Sequence, residues 1–271
     1  MIKKVDLKKE RYLMFIDTET IGTLNVKESV LPFEIGMKIY DTETIGTINV
    51  KESVLPFEIG MKILDLETLK VVKEKSYLVR KFFNNKYIML STFSATKYPD
   101  YFEKLDNDKR YKTMSVNDIS KDIEKNVQRY NIKIMVAHNG NFDKTAMARL
   151  FEDFGVDNPF ENIDLLDTME LSKVITFSKD YANYCIENKD RLNSMKESCF
   201  ITNSGRVRTT AQAIYCYISN NSQFEEAHTG LEDIDIEIEI FKESLKRLGN
   251  TIVNLNTSPK WSDFSKVIEE D

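Results

Sequence analysis

Two carboxylates stand close together near the start of this chain, at Asp17 and Glu19, directly after the apolar run Tyr12–Ile16. A hydrophobic run of this length predicts a buried strand, and residues two apart on a strand point to the same side. The two carboxylates therefore leave the strand on one face, where they repel each other. A divalent cation, which prefers hard oxygen ligands, would relieve that repulsion. The alternative for this pair is a solvated strand end that binds nothing.

Three further residues are candidates for the same site. Asp143 follows the apolar run Ile132–Ala137 and begins a predicted helix, whose N-terminus favours a carboxylate. It also lies at the carboxyl end of a strand, where α/β folds place their ligands. His228 and Asp233 flank the start of a long predicted helix, with the imidazole just outside it and the carboxylate in its first turn. Taken singly, these residues have ordinary explanations as a helix-start acid, an exposed histidine and a surface acid.

The four acids together could hold two divalent cations. Two cations roughly 3.5–4 Å apart stabilise the attacking and leaving oxygens of a phosphoryl displacement. A neutral histidine, whose ordinary pKa is about 6.5, is suited to accept a proton from the attacking water. The neighbouring acids on the same helix are interpreted as surface residues: Glu232, Asp235, Glu237 and Glu239.

An α/β layer fold with a mixed sheet is predicted to position these residues. Short links between the first three strands indicate an antiparallel meander, and strands that alternate with helices follow it. The predicted elements are strands at Tyr12–Ile16, Phe57–Leu64 and Lys70–Val79, a helix from Ser115 to Tyr130, a strand at Ile132–Ala137, a helix to Phe154, a strand at Ile163–Leu166, and capped helices from Thr209 to Ser219 and from Thr229 to Gly249.

The first carboxylate pair occurs twice, because residues 17–40 reappear as residues 41–64 with only two differences. One solution uses the first pair, takes its second strand from the second copy, and leaves residues 22–55 as an enlarged loop or an extra hairpin. The other displaces the first copy and uses Asp41 and Glu43 as the carboxylate pair. The first copy has the longer and more apolar preceding strand, which favours the first solution.

Composition narrows the functional classes. A length of 271 residues suits one large or two small domains, and we expect a single domain over 1–271 with a short C-terminal tail at 250–271. No apolar run approaches the roughly 18 residues that would span a bilayer, and residues 1–6 lack the apolar core that a signal peptide would have. The net charge of -6 disfavours a protein that coats nucleic acid, but it permits an enzyme that binds one strand end through metal ions.

Three cysteines without metal-site spacing indicate reduced thiols in a cytoplasmic protein: Cys185, Cys199 and Cys216.

Three motifs stand in a fixed order along the chain: Asp-x-Glu at Asp17, Asn-x-x-x-Asp from Asn139 to Asp143, and His-x-x-x-x-Asp from His228 to Asp233. This set resembles the DEDD exonuclease superfamily in its histidine-bearing (DEDDh) branch, which includes proofreading subunits of bacterial DNA polymerases, ribonuclease T and oligoribonuclease. The resemblance implies a ribonuclease H-like fold and two divalent cations, Mg²⁺ or Mn²⁺. It also implies a general base at His228 and metal ligands at the four acids: Asp17, Glu19, Asp143 and Asp233.

The same resemblance implies how a nucleic acid would bind. Backbone around Thr20, Ile21 and Gly22 should lie near the terminal nucleotide. Phe142 could stack on a base, since aromatic faces bind single strands without sequence preference, or it could be a core residue of its helix. The stretch Arg208–Glu237 is similar to bacteriophage-encoded members, which would place the protein in a host cytoplasm. The implied partners are single-stranded 3′ ends and a DNA polymerase or replication complex, with no membrane.

These observations predict a metal-dependent 3′→5′ exonuclease that hydrolyses terminal phosphodiesters of single-stranded DNA or RNA. The rival hypothesis is a catalytically impaired module, derived from a nuclease, that binds nucleic-acid ends or a polymerase. The duplication favours this rival because 24 extra residues beside the site could misplace the first carboxylate pair. The sequence does not separate DNA from RNA, a distinction that depends on contacts around the 2′-position.

Overall fold

Strands form two sheets in the computed structural model, which describes residues 3–21, 55–90, 93–192 and 197–257. Six strands make a mixed sheet, and two others pair separately in an antiparallel sheet. The strands are β1 (Lys3–Asp6), β2 (Tyr12–Thr20), β3 (Pro56–Asp65), β4 (Lys70–Val79), β5 (Tyr111–Met114), β6 (Ile134–Ala137), β7 (Asp164–Asp167) and β8 (Ile252–Leu255). Three residues named in the predictions above lie outside the described ranges: Gly22, Asp41 and Glu43.

The mixed sheet has the order β5-β4-β3-β2-β6-β7. β2, β3 and β4 form the predicted antiparallel meander, while β5, β6 and β7 pair in parallel with their neighbours. The α/β class with a mixed sheet is therefore confirmed. β3 and β2 are the two central strands, and β3 is buried along its whole length. The separate sheet joins β1 to β8, so the segment that we predicted as a C-terminal tail begins with a paired strand.

β2 is longer than predicted. The apolar run was expected to end the strand at Ile16, but pairing with β3 continues through Thr20. Asp17 lies opposite Gly60 and Glu19 lies opposite Glu58 in this pairing. The two carboxylates are therefore inside the strand, where the ladder fixes their backbone, and they do not follow its end.

Helices cover both faces of the sheet. They are α1 (Arg80–Phe83), α2 (Lys86–Leu90), α3 (Tyr98–Asn107), α4 (Val116–Arg129), α5 (Asn141–Asp153), α6 (Thr168–Leu171), α7 (Lys173–Thr176), α8 (Lys179–Glu187), α9 (Ala211–Ile218) and α10 (Gly230–Leu248). Among the described residues, none of these helices has the length and apolar character that a membrane crossing requires. The three cysteines are free thiols.

Capping explains where several helices begin and end. Ser115 accepts a hydrogen bond from the Asp118 backbone N–H and starts α4, as predicted. α9 is capped by Thr210, whose side chain accepts from Ala213, so its predicted cap at Thr209 is one residue too early. α10 ends as predicted at Gly249, which adopts a left-handed conformation with φ 63°.

The side chains of β2 alternate between two hydrophobic clusters. Met14 belongs to the cluster that includes residues of α4 and α5. Phe15 belongs to the cluster under α10, where its ring meets Phe241 edge-on at 5.5 Å. Because successive strand residues point to opposite faces, Asp17 and Glu19 continue the face that α10 covers. The sheet thereby presents both carboxylates to the helix that carries Asp233.

Candidate active site

The start of α10 rests on the backbone of the sheet at the level of Asp17. Gly60 and Gly230 meet without an intervening side chain, because a Cβ added at Gly230 would lie 2.8 Å from Gly60 N and 3.3 Å from Asp17 O. One turn further along the helix, Lys62 Nζ of β3 lies 2.5 Å from Asp235 Oδ1. These contacts bring the first turn of α10 directly over β2 and β3.

Asp143 reaches the same region from the other side of β2. It lies in the first turn of α5 and is only 4% exposed. The backbone N–H and the hydroxyl of Thr18 both donate to Asp143 Oδ1, at 3.0 and 2.7 Å. Thr18 stands between the two acids of β2, so these hydrogen bonds fix Asp143 beside them.

His228 and Asp233 complete the group. The His228 backbone N–H donates to Asp233 Oδ1 at 3.2 Å, and His228 has a left-handed backbone with φ 49°. Lys97 Nζ donates to the carbonyl oxygen of Ala227, so the residue before the histidine is held by the segment that leads into α3. Three side chains each offer one potential ligand atom, and these three atoms all lie within 4.8 Å of one another: a carboxylate oxygen of Glu19, a ring nitrogen of His228 and a carboxylate oxygen of Asp233.

Burial and mutual repulsion disturb the protonation of these acids. Burial raises the pKa of Asp17 well above its ordinary value, and the nearby Asp143 and Glu237 raise it further. Burial raises the pKa of Asp143 to about 7 against the opposing Thr18 hydrogen bonds. It raises the pKa of Asp233 to about 8, with added repulsion from Glu226 and Glu19. Such a cluster of partly buried like charges is unfavourable unless protons or cations neutralise it.

The imidazole of His228 has the opposite shift. Burial lowers its pKa, and the positive charge of Lys97 lowers it further. The side chain nevertheless remains 40% exposed. The site thus combines carboxylates that resist ionisation with a neutral imidazole that solvent can reach.

No family model and no curated protein sequence matches this chain. Among solved structures, the chain is similar to exonuclease I from Methylocaldum szegediense, with a TM-score of 0.50, 13% identity, and coverage of 88% of this chain and 41% of that one. The fold is therefore the ribonuclease H-like exonuclease fold. At 13% identity this likeness concerns the fold alone.

A second similar structure is E. coli exonuclease I in complex with a dA16 oligonucleotide, with a TM-score of 0.47, 12% identity, and coverage of 88% of this chain and 41% of that one. A third is the zinc-bound E. coli exonuclease I complex with single-stranded DNA, with a TM-score of 0.49, 13% identity, and coverage of 89% of this chain and 41% of that one. The chain spans about two fifths of the length of these exonuclease I structures.

The predicted substrate contacts differ in their surroundings. Ile21 is buried, and its backbone N–H donates to the carbonyl of Leu55 at 2.9 Å, where the described chain resumes. Thr20 ends β2 next to a register shift in the β2–β3 ladder. Phe142 is 46% exposed, so its ring is not a core residue of α5. Their role in binding remains a prediction.

His138 and Asp167, which lie beside the candidate site, are held by hydrogen bonds. His138 is held through Nδ1 by the Thr168 hydroxyl at 3.0 Å and through Nε2 by the Thr209 carbonyl at 2.8 Å. Asp167 accepts hydrogen bonds from the backbone N–H groups of Asn139 and Met169, at 3.0 and 2.9 Å. It thereby joins the end of β7 to the loop that leads to Asp143.

Glu237 is the residue that sequence reasoning missed. It was interpreted as a surface acid, yet it is 3% exposed. Its Oε1 accepts the backbone N–H of His138 at 3.0 Å, and its Oε2 is buried without a hydrogen-bond partner in the described part of the chain. Burial raises its pKa, and Asp143 raises it further. The available signal was its position four residues after Asp233, since residues four apart share a helix face.

Proposed function

We propose that this chain is a metal-dependent exonuclease that removes nucleotides from the 3′ ends of single-stranded nucleic acid, in the manner of the DEDDh enzymes. The observation that carries the proposal is the convergence of acidic groups from three elements, β2, α5 and the first turn of α10, beside one imidazole. Elements that needed only a stable core would not bury so many like charges together. The fold and the order of the three motifs support the same conclusion.

The donor set fits divalent cations. Asp17 Oδ2 is buried, and no group in the described ranges donates a hydrogen bond to it. Carboxylate oxygens are the ligands that Mg²⁺ and Mn²⁺ prefer. The residues that would hold the ions are Asp17, Glu19, Asp143 and Asp233. When bound, two such ions stabilise the attacking and leaving oxygens of a phosphoryl displacement.

His228 is the group that we assign to proton transfer. Its lowered pKa keeps the imidazole neutral near pH 7, as a general base requires. Its backbone hydrogen bond to Asp233 ties the base to one of the acids. The exposed part of the ring leaves room for a water that lies between it and a terminal phosphodiester. The proton of that water passes to the imidazole as the water oxygen attacks phosphorus and the 3′-oxygen of the preceding nucleotide leaves.

The substrate class follows from the surface of α5. The exposed ring of Phe142 lies one residue before Asp143, so a base stacked on it would lie next to the acidic cluster. Stacking requires an unpaired base, which favours single strands. Backbone at Thr20 and Ile21 is the predicted contact for the terminal nucleotide. The DNA or RNA identity of the strand, and a polymerase or replication complex as partner, belong to this proposal as outcomes to be tested.

The proposal is tested with oligonucleotides that carry a label on the 5′ end, incubated with Mg²⁺, Mn²⁺ or EDTA. A 3′→5′ exonuclease produces a ladder of shortened labelled products only when a cation is present. Asp143→Asn keeps an oxygen that can accept hydrogen bonds from Thr18 but removes the negative charge. We expect it to lower the cleavage rate by more than about 100-fold, because removing only a hydrogen-bond partner of a metal ligand already lowers activity by about 10–100-fold. Parallel DNA and RNA strands of one sequence identify the preferred sugar.

Asp122→Asn is the matched control, because Asp122 pairs with Lys75 and Tyr77 away from the site. It should cleave at the wild-type rate. Shortening in EDTA, or an undiminished rate in Asp143→Asn, would contradict the proposal.

The duplication gives a second candidate function some support. A module that binds nucleic-acid ends or a polymerase, with cleavage impaired by the inserted copy, would retain single-strand binding without turnover. Binding in EDTA together with intact oligonucleotide in Mg²⁺ and Mn²⁺ would favour this alternative over the enzyme.

A further inference from the structure

A separate carboxylate network is centred on Glu58 of β3, whose side chain is fully buried. Ser76 Oγ donates to Glu58 Oε1 at 2.6 Å, and the Tyr101 hydroxyl donates to Oε2. Burial raises the pKa of this carboxylate, and the Ser76 and Tyr101 hydroxyls and the nearby Gly230 N–H oppose that rise. The buried carboxylate thus has hydrogen-bond partners on β4 and α3 and lies near the first residue of α10.

This network borders the candidate active site. Glu58 lies directly opposite Glu19 in the β2–β3 ladder, and side chains directly opposite on antiparallel strands have Cβ atoms about 4.5–5.5 Å apart on one face. The negative charge of Glu58 also acts on Asp233 across the gap between sheet and helix. Glu58 therefore lies near both the acid on β2 and the acid on α10.

The contact at Gly230 fixes more than one residue. Gly230 begins α10, and the Asp233 backbone N–H donates to the Thr229 carbonyl at 3.0 Å in the same turn. The close backbone contact between Gly60 and Gly230 prevents the turn from approaching the sheet any further. The attraction between the Glu58 carboxylate and the Gly230 N–H opposes its departure. Asp233, and the His228 N–H bonded to it, move with that turn.

We propose that Glu58, held by Tyr101 and Ser76, is a positioning residue that fixes Asp233 and His228 in relation to Glu19. It acts through the start of α10 and contacts neither substrate nor cation. The inference rests on the proposed function, because it concerns the geometry of the same acidic site.

A second buried tyrosine provides a control for ordinary stabilisation. Tyr77 is also fully buried, and its hydroxyl donates to the carboxylate of Asp122 at 2.8 Å. That pair joins β4 to α4 on the other face of the sheet, away from α10. Tyr101→Phe and Tyr77→Phe therefore each delete one buried hydroxyl that donates to a carboxylate, but only the first deletes it beside the site.

The test measures both variants for Mn²⁺ affinity by titration calorimetry, for amide hydrogen exchange in residues 229–233, and for kcat and KM on a single-stranded oligonucleotide. We expect Tyr101→Phe to weaken Mn²⁺ binding by about 10–100-fold, the usual loss when a partner of a metal ligand is removed. It should also speed exchange at the start of α10 and lower kcat more than it changes KM. Tyr77→Phe should lower the melting temperature while Mn²⁺ affinity and exchange at these residues stay at wild-type values.

Glu58→Gln, which keeps the side-chain shape and removes the charge, should change Mn²⁺ affinity and exchange in the same direction as Tyr101→Phe. Equal effects of Tyr101→Phe and Tyr77→Phe, or wild-type exchange and affinity in Glu58→Gln, would overturn the positioning role. A wild-type protein that neither binds Mn²⁺ nor cleaves would refute the proposed function, whereas the exchange comparison would still decide whether Glu58 fixes the helix start.

Discussion

Glu58 and Asp17 are carboxylates on adjacent strands of one sheet face, yet their surroundings differ. Glu58 accepts hydrogen bonds from Ser76 and Tyr101 and lies near the Gly230 N–H. Asp17 Oδ2 is equally buried and has no such donor among the residues that the structure describes. The protein supplies polar partners for one buried acid and leaves the other with acids as neighbours.

The difference separates a carboxylate that the protein itself hydrogen-bonds from one whose buried oxygen lacks a partner among the described residues. Buried polar groups are hydrogen-bonded in the great majority of cases, so an unsatisfied oxygen requires an explanation. At Asp17 the neighbouring groups that disturb its ionisation are Asp143, Glu237, Glu19 and Asp233. The proposed cation would supply the partner that these neighbours cannot, whereas both carboxylate oxygens of Glu58 already accept hydrogen bonds.

The largest expected effect comes from removing the unsatisfied acid itself. Asp17→Ala should lower kcat/KM by more than about 100-fold, because it removes a proposed metal ligand and not merely a partner of one. Asp41→Ala is the matched variant in the second copy, and it should stay within twofold of wild type. Single-turnover cleavage of a labelled oligonucleotide measures both. A loss of activity in Asp41→Ala would show that the second copy supplies the ligands.

The pH dependence of stability should sharpen the contrast. The folded-state pKa values of Asp143 and Asp233 are raised to about 7 and about 8 from the ordinary 3.8. Between pH 3.8 and about pH 8, the folded protein therefore binds more protons than the unfolded chain. The free energy of unfolding consequently falls as pH rises through this range. We expect the melting temperature in EDTA to decrease between pH 5 and pH 8.5.

Saturating Mn²⁺ should reverse this decrease, since a cation neutralises the same charges and stabilises the folded state by about 2.7 kcal/mol at a concentration 100 times its Kd. Thermal melts in EDTA and in Mn²⁺ across this pH range measure the effect. A melting temperature that rises with pH in EDTA would mean that the pKa values of these acids are not raised in the folded protein.

The smallest expected effect concerns Glu237. Glu237→Gln keeps an oxygen that can accept from the His138 N–H and removes one charge from the cluster. We expect the melting temperature in EDTA at pH 8 to rise by a few degrees, because about 1 kcal/mol corresponds to about 2–4 °C in a domain of this size. Glu239→Gln, on the exposed side of the same helix, should change it by less. A fall in stability would show that the Glu237 charge is compensated.

Much of this arrangement is predictable because it depends on local patterns. The period of two in β2 places Asp17 and Glu19 on one face, whether the strand ends at Ile16 or at Thr20. Thr229 and Glu232 correctly predict that a helix begins at Gly230, but they do not form the expected capping box, because the Thr229 hydroxyl donates to the Glu232 carboxylate and makes no capping hydrogen bond. The three motifs also identify the acids that the fold brings to β2, α5 and α10.

The remainder depends on contacts between distant segments. Glu237 is buried because α10 lies against the loop after β6, and its own sequence neighbourhood is as acidic as that of an exposed helix. Glu58 interrupts an apolar run, but its partners lie 18 and 43 residues away along the chain. The extension of β2 to Thr20 likewise requires a partner strand from the second copy of the repeat. Such pairings are set by tertiary packing and not by propensity.

The contact between Gly60 and Gly230 has a consequence for substitution at either position. Neither glycine offers a side-chain ligand, yet a Cβ at either position would meet backbone atoms that cannot yield. Alanine at Gly60 or Gly230 would therefore force α10 away from the sheet and separate the acids on α10 from those on β2.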